Sequence, residues 1–159
     1  MKKIINPWNG TDGYFCFACS PANPAGLHME FYEDGEDIVS FWQPADTRQG
    51  WLHTLHGGIQ STLLDELAAW VILRKLQTTG VTSKMEIKFL KSISTHDPGL
   101  TVRGRIRERK RNAVFVTAGI YNAANELCTC AEVIYFITTP ERALQTCGFK
   151  GCRTEDEIQ

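Results

Sequence analysis

The arrangement of apolar and polar residues along the chain predicts one long helix with strands on either side. Residues 58–77 place apolar side chains on most sides of a helix, a pattern typical of a helix that is buried nearly all round. Thr79-Gly80 is expected to end it. Alternation of period two predicts the strands, which are 27–32, 38–42, 84–89, 100–109, 114–121 and 127–137.

Turn residues between these strands predict antiparallel pairing. Asp34-Gly35 predicts a hairpin turn, and residues 96–99 and 122–125 predict two later turns. The last four strands are therefore expected to follow one another as an antiparallel meander, with 114–121 as a central strand because it is apolar on both faces. A single helix wrapped by one curved antiparallel sheet belongs to the α+β class.

The length of 159 residues suits a single domain that spans 1–159. Residues up to about 26 are rich in Pro, Gly and Asn, so they predict an irregular N-terminal segment. Residues from about 140 to 159 are polar and end in acidic residues, so they predict a loose tail.

Composition and charge exclude several classes of partner. The hydrophobic share of 43% is ordinary for a globular core, and the net charge of −1 gives no field that would favour nucleic acid. The apolar run after Met1 stops too early for a signal peptide, and the longest apolar run, 67–73, is too short to span a bilayer. We therefore expect a cytoplasmic protein that binds neither nucleic acid nor a membrane.

Six cysteines raise the question of a metal or redox site. Cys128 and Cys130 alternate within a predicted strand, which indicates buried free thiols on one face. Cys16-x-x-Cys19 is half of a zinc or redox motif, and the other half would have to come from Cys147 and Cys152, near the end of the chain. Because this second pair is poorly spaced, we expect reduced thiols and neither a metal nor another cofactor.

The segment 55–70 contains the chemistry that points to function. His56-Gly57-Gly58 forms a turn that opens the predicted helix, where backbone amides can stabilise a developing negative charge. Asp65 follows nine residues after His56, which is about two and a half turns of helix. An oxyanion site with a buried carboxylate is the minimum requirement for acyl-transfer chemistry.

Asp65 is favoured over its neighbour Glu66 as the reactive carboxylate. The positions three and four residues from Asp65 hold small side chains and no basic partner, which leaves room for a ligand; they are Ser61, Thr62, Ala68 and Ala69. Glu66 lies between Leu63 and Trp70, where a substrate carbonyl has less room.

His56-Gly57-Gly58 with an acid nine residues after the histidine resembles the hotdog-fold acyl-CoA thioesterases of the phenylacetate-degradation, PaaI-like branch. The resemblance covers roughly residues 14–138. Three N-terminal runs and one later strand take part in it, namely 16–19, 23–27, 49–51 and 85–90.

The resemblance implies a hotdog fold and a separate catalytic role for each motif residue. The Gly58 amide, in one turn with Gly57, would polarise the thioester carbonyl. Asp65 of a neighbouring subunit would activate water or attack the carbonyl, and Thr82 would orient the water. His56 would shape the turn and contact the substrate; the alternative is that His56 only caps the helix.

This sequence departs from the relatives at one position. Many relatives have an Asn or another polar residue six positions before the motif histidine, where this chain has Gly50. Gln49 and His53 are the candidates to replace that contact. Arg103 and Arg105, on one strand face, either form a solvated surface or bind the phosphates of coenzyme A.

We therefore expect an acyl-CoA thioesterase that acts as a homodimer or homotetramer, with its active site at the subunit interface and no cofactor. One alternative is a non-catalytic acyl-CoA or lipid-binding module of the same fold, since a fold does not fix a function. Another is a hydratase or dehydratase, which is less favoured because His56 lies at a turn without a matched acid. A zinc-binding interaction module is the third.

Overall fold

The computed structural model describes residues 1–158, which form one antiparallel sheet packed against one long helix. Within these residues the elements are β1 Lys2–Lys3, β2 Tyr32–Asp34, β3 Asp37–Trp42, α1 Gly57–Leu76, β4 Gly80–Phe89, β5 Leu100–Lys110, β6 Ala113–Tyr121, β7 Leu127–Ile137 and α2 Pro140–Cys147. Short 3-10 turns occupy Asp46–Arg48 and Glu155–Glu157. The expected α+β hotdog fold is confirmed.

The long helix α1 agrees with the apolar pattern to within a residue at each end, but the residue that ends it was predicted wrongly. Gln77 ends the helix in the left-handed conformation, with φ of 52°. Gly80 instead begins β4, where a Cβ atom would lie 2.5 Å from the backbone oxygen of Phe136. The glycine thus allows two strands to approach and does not stop the helix. Neither helix of the described chain has the length and apolarity that crossing a bilayer requires.

The strand order is β1-β2-β3-β5-β6-β7-β4, and every neighbouring pair is antiparallel. The central position of β6 is confirmed. The predicted four-strand meander is wrong, because β4 lies at the sheet edge beside β7, with Thr82 opposite Tyr135. Alternation shows which residues share a face but not which strands pair. Residues 90–99 carry the chain from β4 to β5, which lies on the other side of β6 from β7.

Residues 27–31 were predicted as a strand and do not form one. The backbone N–H groups of Leu27 and Met29 donate to the carbonyls of Phe17 and Ala18, at 2.8 and 2.9 Å. His28 between them adopts a positive φ of 53°. The N-terminal segment thus takes the hydrogen bonds that a strand ladder would need, and it is fixed against the body of the fold.

The loose C-terminal tail is also a wrong expectation. Thr139 caps α2 by accepting a hydrogen bond from the Arg142 N–H, and Ala143 on this helix is buried. The chain beyond α2 returns to α1, where the Arg74 guanidinium donates to the Cys152 carbonyl and the Glu157 carboxylate. These contacts fix the C-terminal segment to the last turn of α1.

All six cysteines are free thiols. Cys128 is fully buried, whereas Cys130 is half-buried. A register shift pairs Ile120 with Thr129 and Tyr121 with Leu127, and therefore leaves Cys128 out of the ladder. The prediction of two buried thiols on one face is correct for Cys128 alone.

Candidate active site

The first turn of α1 leaves backbone amides without an acceptor in the described chain. His56 is the N-cap, and its Nδ1 accepts a hydrogen bond of 2.8 Å from the Gly58 N–H. The Gly58 amide, expected to be the oxyanion donor, is therefore already bonded. The Gly57 N–H has no hydrogen-bond acceptor within residues 1–158. His56 therefore caps the helix, and the Gly57 N–H is free.

Asp65 lies on a partly buried face of α1 that looks towards β4. The Thr82 hydroxyl donates to Asp65 Oδ1 at 2.7 Å, so the structure brings together two residues that were predicted to share a site. No basic side chain in the described chain forms an ion pair with Asp65. Burial raises the pKa of Tyr135, which lies opposite Thr82 on β7 and was not singled out from the sequence.

Gly57 and Asp65 are separated along the helix. Eight residues at about 1.5 Å each give roughly 12 Å of axial distance between them. A thioester carbonyl that accepts a hydrogen bond from Gly57 is therefore out of reach of the carboxylate on the same helix. On one chain, the Gly57 amide and the Asp65 carboxylate therefore lie at two separate places along α1.

The loop before α1 contains Gln49 and His53, the two candidates to replace the polar contact that Gly50 lacks. Gln49 lines a surface cavity of about 470 Å³ together with His56 and Gly57. The Gln49 Oε1 accepts the His53 backbone N–H at 3.0 Å, which fixes the side chain. A Cβ atom on Gly50 would lie 3.3 Å from the His56 ring, so a side chain at this position requires the histidine to move.

The His53 side chain faces away from this cavity and towards Asp46. Its Nδ1 lies 3.4 Å from Asp46, and His96 Nε2 lies 3.1 Å from the same carboxylate. A hydrogen bond from the Thr95 hydroxyl, followed by those of His96 and His53, lowers the pKa of Asp46 to about 2. The His53 side chain is thus held in an exposed polar cluster and does not line the cavity beside Gln49.

Arg103 and Arg105 are ion-paired on the sheet face opposite α1. Both guanidinium groups bind Asp37, whose side chain is only 4% exposed, and Arg103 also binds Asp34 at 3.0 Å. The buried residues of β5 alternate with these arginines and face the helix. The structure therefore does not bring either arginine to Asp65 within one chain.

A second cluster lies one step round α1 from Asp65. The Glu66 carboxylate, Cys16 Sγ and Cys19 Sγ lie within 4.8 Å of one another, and neither Cys147 nor Cys152 belongs to this group. Burial, and then the Cys16 charge, raises the pKa of Glu66 to about 7. Spacing along the chain gave no indication that Glu66 meets Cys16 and Cys19, because they are about fifty residues apart.

This cluster borders an apolar cavity with a volume of about 480 Å³. Aromatic side chains form much of its wall, namely Trp8, Tyr14, Trp70 and Tyr135. The Trp70 Nε1–H donates to Glu66 Oε1 at 2.9 Å. The Tyr14 hydroxyl lies 3.0 Å from Cys19 Sγ.

Known proteins of similar structure include proteins named as thioesterases. A hypothetical thioesterase from Streptococcus pneumoniae, solved with coenzyme A, is 23% identical with a TM-score of 0.64 over 69% of this chain and 85% of its own. The Escherichia coli PaaI protein of the phenylacetic acid degradation operon is 18% identical, with a TM-score of 0.65 over 71% of this chain and 81% of its own. A Streptococcus mutans protein bound to acetyl CoA is 20% identical, with a TM-score of 0.64 over 82% of this chain and 97% of its own.

Two comparisons of the sequence address the family of the chain. A search of curated proteins finds no match to this chain. The family model of the thioesterase superfamily matches residues 52–129, which contain the His56 turn, Asp65 and Thr82. By this match, residues 52–129 of the chain belong to the thioesterase superfamily.

Proposed function

We propose that the protein hydrolyses an acyl-CoA thioester to a free acid and coenzyme A. The observation that supports this most is the Asp65 carboxylate, which accepts a hydrogen bond from Thr82 at 2.7 Å and has no ion-pair partner in the described chain. An unpaired carboxylate with one orienting hydroxyl is suited to act on a water or a carbonyl. Two structures of the same fold contain coenzyme A or acetyl CoA.

Asp65 has two possible roles in this reaction. As a general base it takes a proton from water, the water oxygen bonds to the thioester carbon, and the C–S bond then breaks. As a nucleophile its oxygen forms an anhydride with the acyl group, which water then cleaves. In both routes coenzyme A leaves as its thiol or thiolate, and the negative charge on the carbonyl oxygen needs a donor.

We assign that donor to the Gly57 N–H. This amide has no acceptor in the described chain and lies at the positive end of the α1 dipole. His56 supports it indirectly, because its bond to Gly58 fixes the turn. The Gln49 amide, which lines the same cavity, is the group best placed to replace the Asn of the relatives.

The proposed site requires a second copy of the chain. The roughly 12 Å between Gly57 and Asp65 on one helix is too far for both to act on one carbonyl. The edge strand β4 and the loop before α1 expose large apolar side chains that a partner would cover; they include Trp51, Leu52, Val81 and Phe89, all more than half exposed. We therefore propose a homodimer or larger homo-oligomer in which Gly57 of one copy meets Asp65 of the other.

A non-catalytic acyl-CoA-binding module is the second candidate, and Gly50 favours it. This position lacks the polar side chain that relatives present, and a Cβ atom there would lie 3.3 Å from the His56 ring. Steady-state release of the coenzyme A thiol across a panel of aliphatic and aromatic acyl-CoAs separates the two functions. Turnover of any member that depends on Asp65 supports hydrolysis, whereas calorimetric binding without turnover supports the binding module.

A further inference from the structure

We propose that Cys16, Cys19 and Glu66 bind one divalent transition-metal ion, with zinc as the best match, and leave one coordination position open towards the 480 Å³ cavity. This inference goes beyond thioester hydrolysis and does not depend on it. It also replaces the expectation of no metal, which rested on the spacing of the cysteines alone.

The first argument is the geometry of the three ligand atoms. All lie within 4.8 Å of one another, and Cys16 Sγ lies 3.6 Å from Glu66 Oε1. Ligands at about 2.0 to 2.3 Å around a tetrahedral ion are separated by about 3.3 to 3.8 Å, so the distance from Cys16 Sγ to Glu66 Oε1 fits a shared ion. Two thiolates and a carboxylate favour zinc over magnesium or calcium, which prefer oxygen ligands.

The second argument is the set of hydrogen-bond donors around these atoms. The Tyr14 hydroxyl contacts Cys19 Sγ, and Trp70 Nε1–H donates to Glu66 Oε1. Such outer partners orient metal ligands and favour their charged forms.

The third argument is the charge of the cluster. Three groups that can become negative are crowded together, with Cys19 only 7% exposed. No Lys, Arg or His within the described chain forms an ion pair with Glu66. A bound dication would compensate the cluster, and its binding would release the two thiol protons to solvent.

The ion would also join two parts of the fold. Cys16 and Cys19 belong to the irregular N-terminal segment, whereas Glu66 belongs to α1. Coordination would therefore hold this segment against the helix and keep the cavity wall in place. Three protein ligands with an open position are typical of a site that can also bind water or a ligand.

The test measures metal directly. Wild-type protein is purified under reducing conditions without added metal, dialysed, and analysed by plasma mass spectrometry, with one zinc ion per chain expected. Chelated protein is then titrated with Co²⁺, which should give a thiolate-to-cobalt charge-transfer band in the near ultraviolet. Returning zinc to the chelated protein at a hundredfold excess over Kd should raise Tm by about 5 °C or more.

Variants locate the ion. Cys16→Ser and Cys19→Ser should lose the charge-transfer band, and Glu66→Gln should keep a thiolate band with affinity reduced about tenfold or more. Cys147→Ser, at another thiol of the cavity wall, and His96→Ala, in the exposed Asp46 cluster, should keep the ion. Because the cysteine variants could fail to fold, the wild-type metal content and cobalt spectrum decide the question by themselves.

Two results would overturn the proposal. One is reduced wild-type protein that contains no stoichiometric metal and gives no charge-transfer band with Co²⁺. The other is a metal that is lost in His96→Ala and retained in Cys16→Ser, which would place it at the surface cluster. Neither result bears on hydrolysis, since a metal-free protein could still cleave acyl-CoA and a metal-bound one could be inactive.

Discussion

Replacement of Asp65 by Asn is the most direct test of the proposed reaction. Asn has the shape of Asp, and its side-chain oxygen can still accept the hydrogen bond that Thr82 donates at 2.7 Å. Asp65 has no ion-pair partner in the described chain, so the substitution leaves no cation uncompensated. The change therefore removes the basicity and charge of one carboxylate and little else.

The expected loss in kcat is at least about a hundredfold, which is the lower bound for removal of a general base. This corresponds to roughly 2.7 kcal/mol of transition-state stabilisation. Removal of the Thr82 hydroxyl in Thr82→Val costs one hydrogen bond, worth about 1 kcal/mol, and should lower kcat only about fivefold. KM should change little in Asp65→Asn, because coenzyme A binds mainly through groups remote from the reacting carbon.

Continuous detection of the released thiol gives kcat and KM, and single-turnover experiments separate chemistry from product release. Glu86→Gln removes an exposed carboxylate on β4 and is the matched control, expected to retain wild-type kcat. Glu66→Gln tests the neighbouring acid and should retain far more activity than Asp65→Asn. Sedimentation should show the same assembly for all variants.

Wild-type turnover by Asp65→Asn would refute the assignment of the base or nucleophile. An active Asp65→Asn together with an inactive Glu66→Gln would mean that the wrong carboxylate had been chosen. A large loss in Glu86→Gln would show that the effect comes from the charge of the surface and not from the site.

Three further predictions concern assembly and stability. The protein should sediment as a dimer or larger oligomer at micromolar concentration, and a folded, active monomer would contradict the shared site. Arg103→Ala should lower the free energy of unfolding in urea by about 2 kcal/mol, with little change in KM, because the buried Asp37 loses one of its two partners. Arg107→Ala, which breaks an exposed pair with Glu132, is the control and should lower it by under about 1 kcal/mol. A raised KM in Arg103→Ala without loss of stability would instead support the coenzyme A role of Arg103. Arg74→Met should reduce stability by about 2 to 4 kcal/mol at pH 7. The Arg74 hydrogen bond lowers the pKa of Glu157 to about 2. At Glu33, hydrogen bonds from Arg74 and Lys75 outweigh burial and lower the pKa as well. The two carboxylates therefore contribute to stability above about pH 4.5, and this contribution is lost as the pH falls towards 2. Urea midpoints between pH 6 and 3 should therefore fall less steeply in Arg74→Met than in wild type, and equal slopes would show that these carboxylates do not depend on Arg74.

The sequence by itself determined the local elements of this protein. The apolar pattern located α1 to within a residue at each end, and alternation located β5, β6 and β7 closely. These features depend on residues a few positions apart, so local periodicity is enough to predict them. The C-terminal helix had a usable indication that was missed, since Thr139-Pro140 is a typical N-cap followed by proline in the first turn.

Only the tertiary structure decided which distant surfaces meet. It placed β4 beside β7, and thereby Thr82 beside Asp65 and Tyr135. It also brought Glu66 to the Cys16 and Cys19 pair, about fifty residues away. Alternation gives the same pattern whichever strand is the partner, and spacing cannot show which side chains become neighbours across a core. Those choices depend on the packing of the whole chain around α1, and they turn separate motif residues into sites.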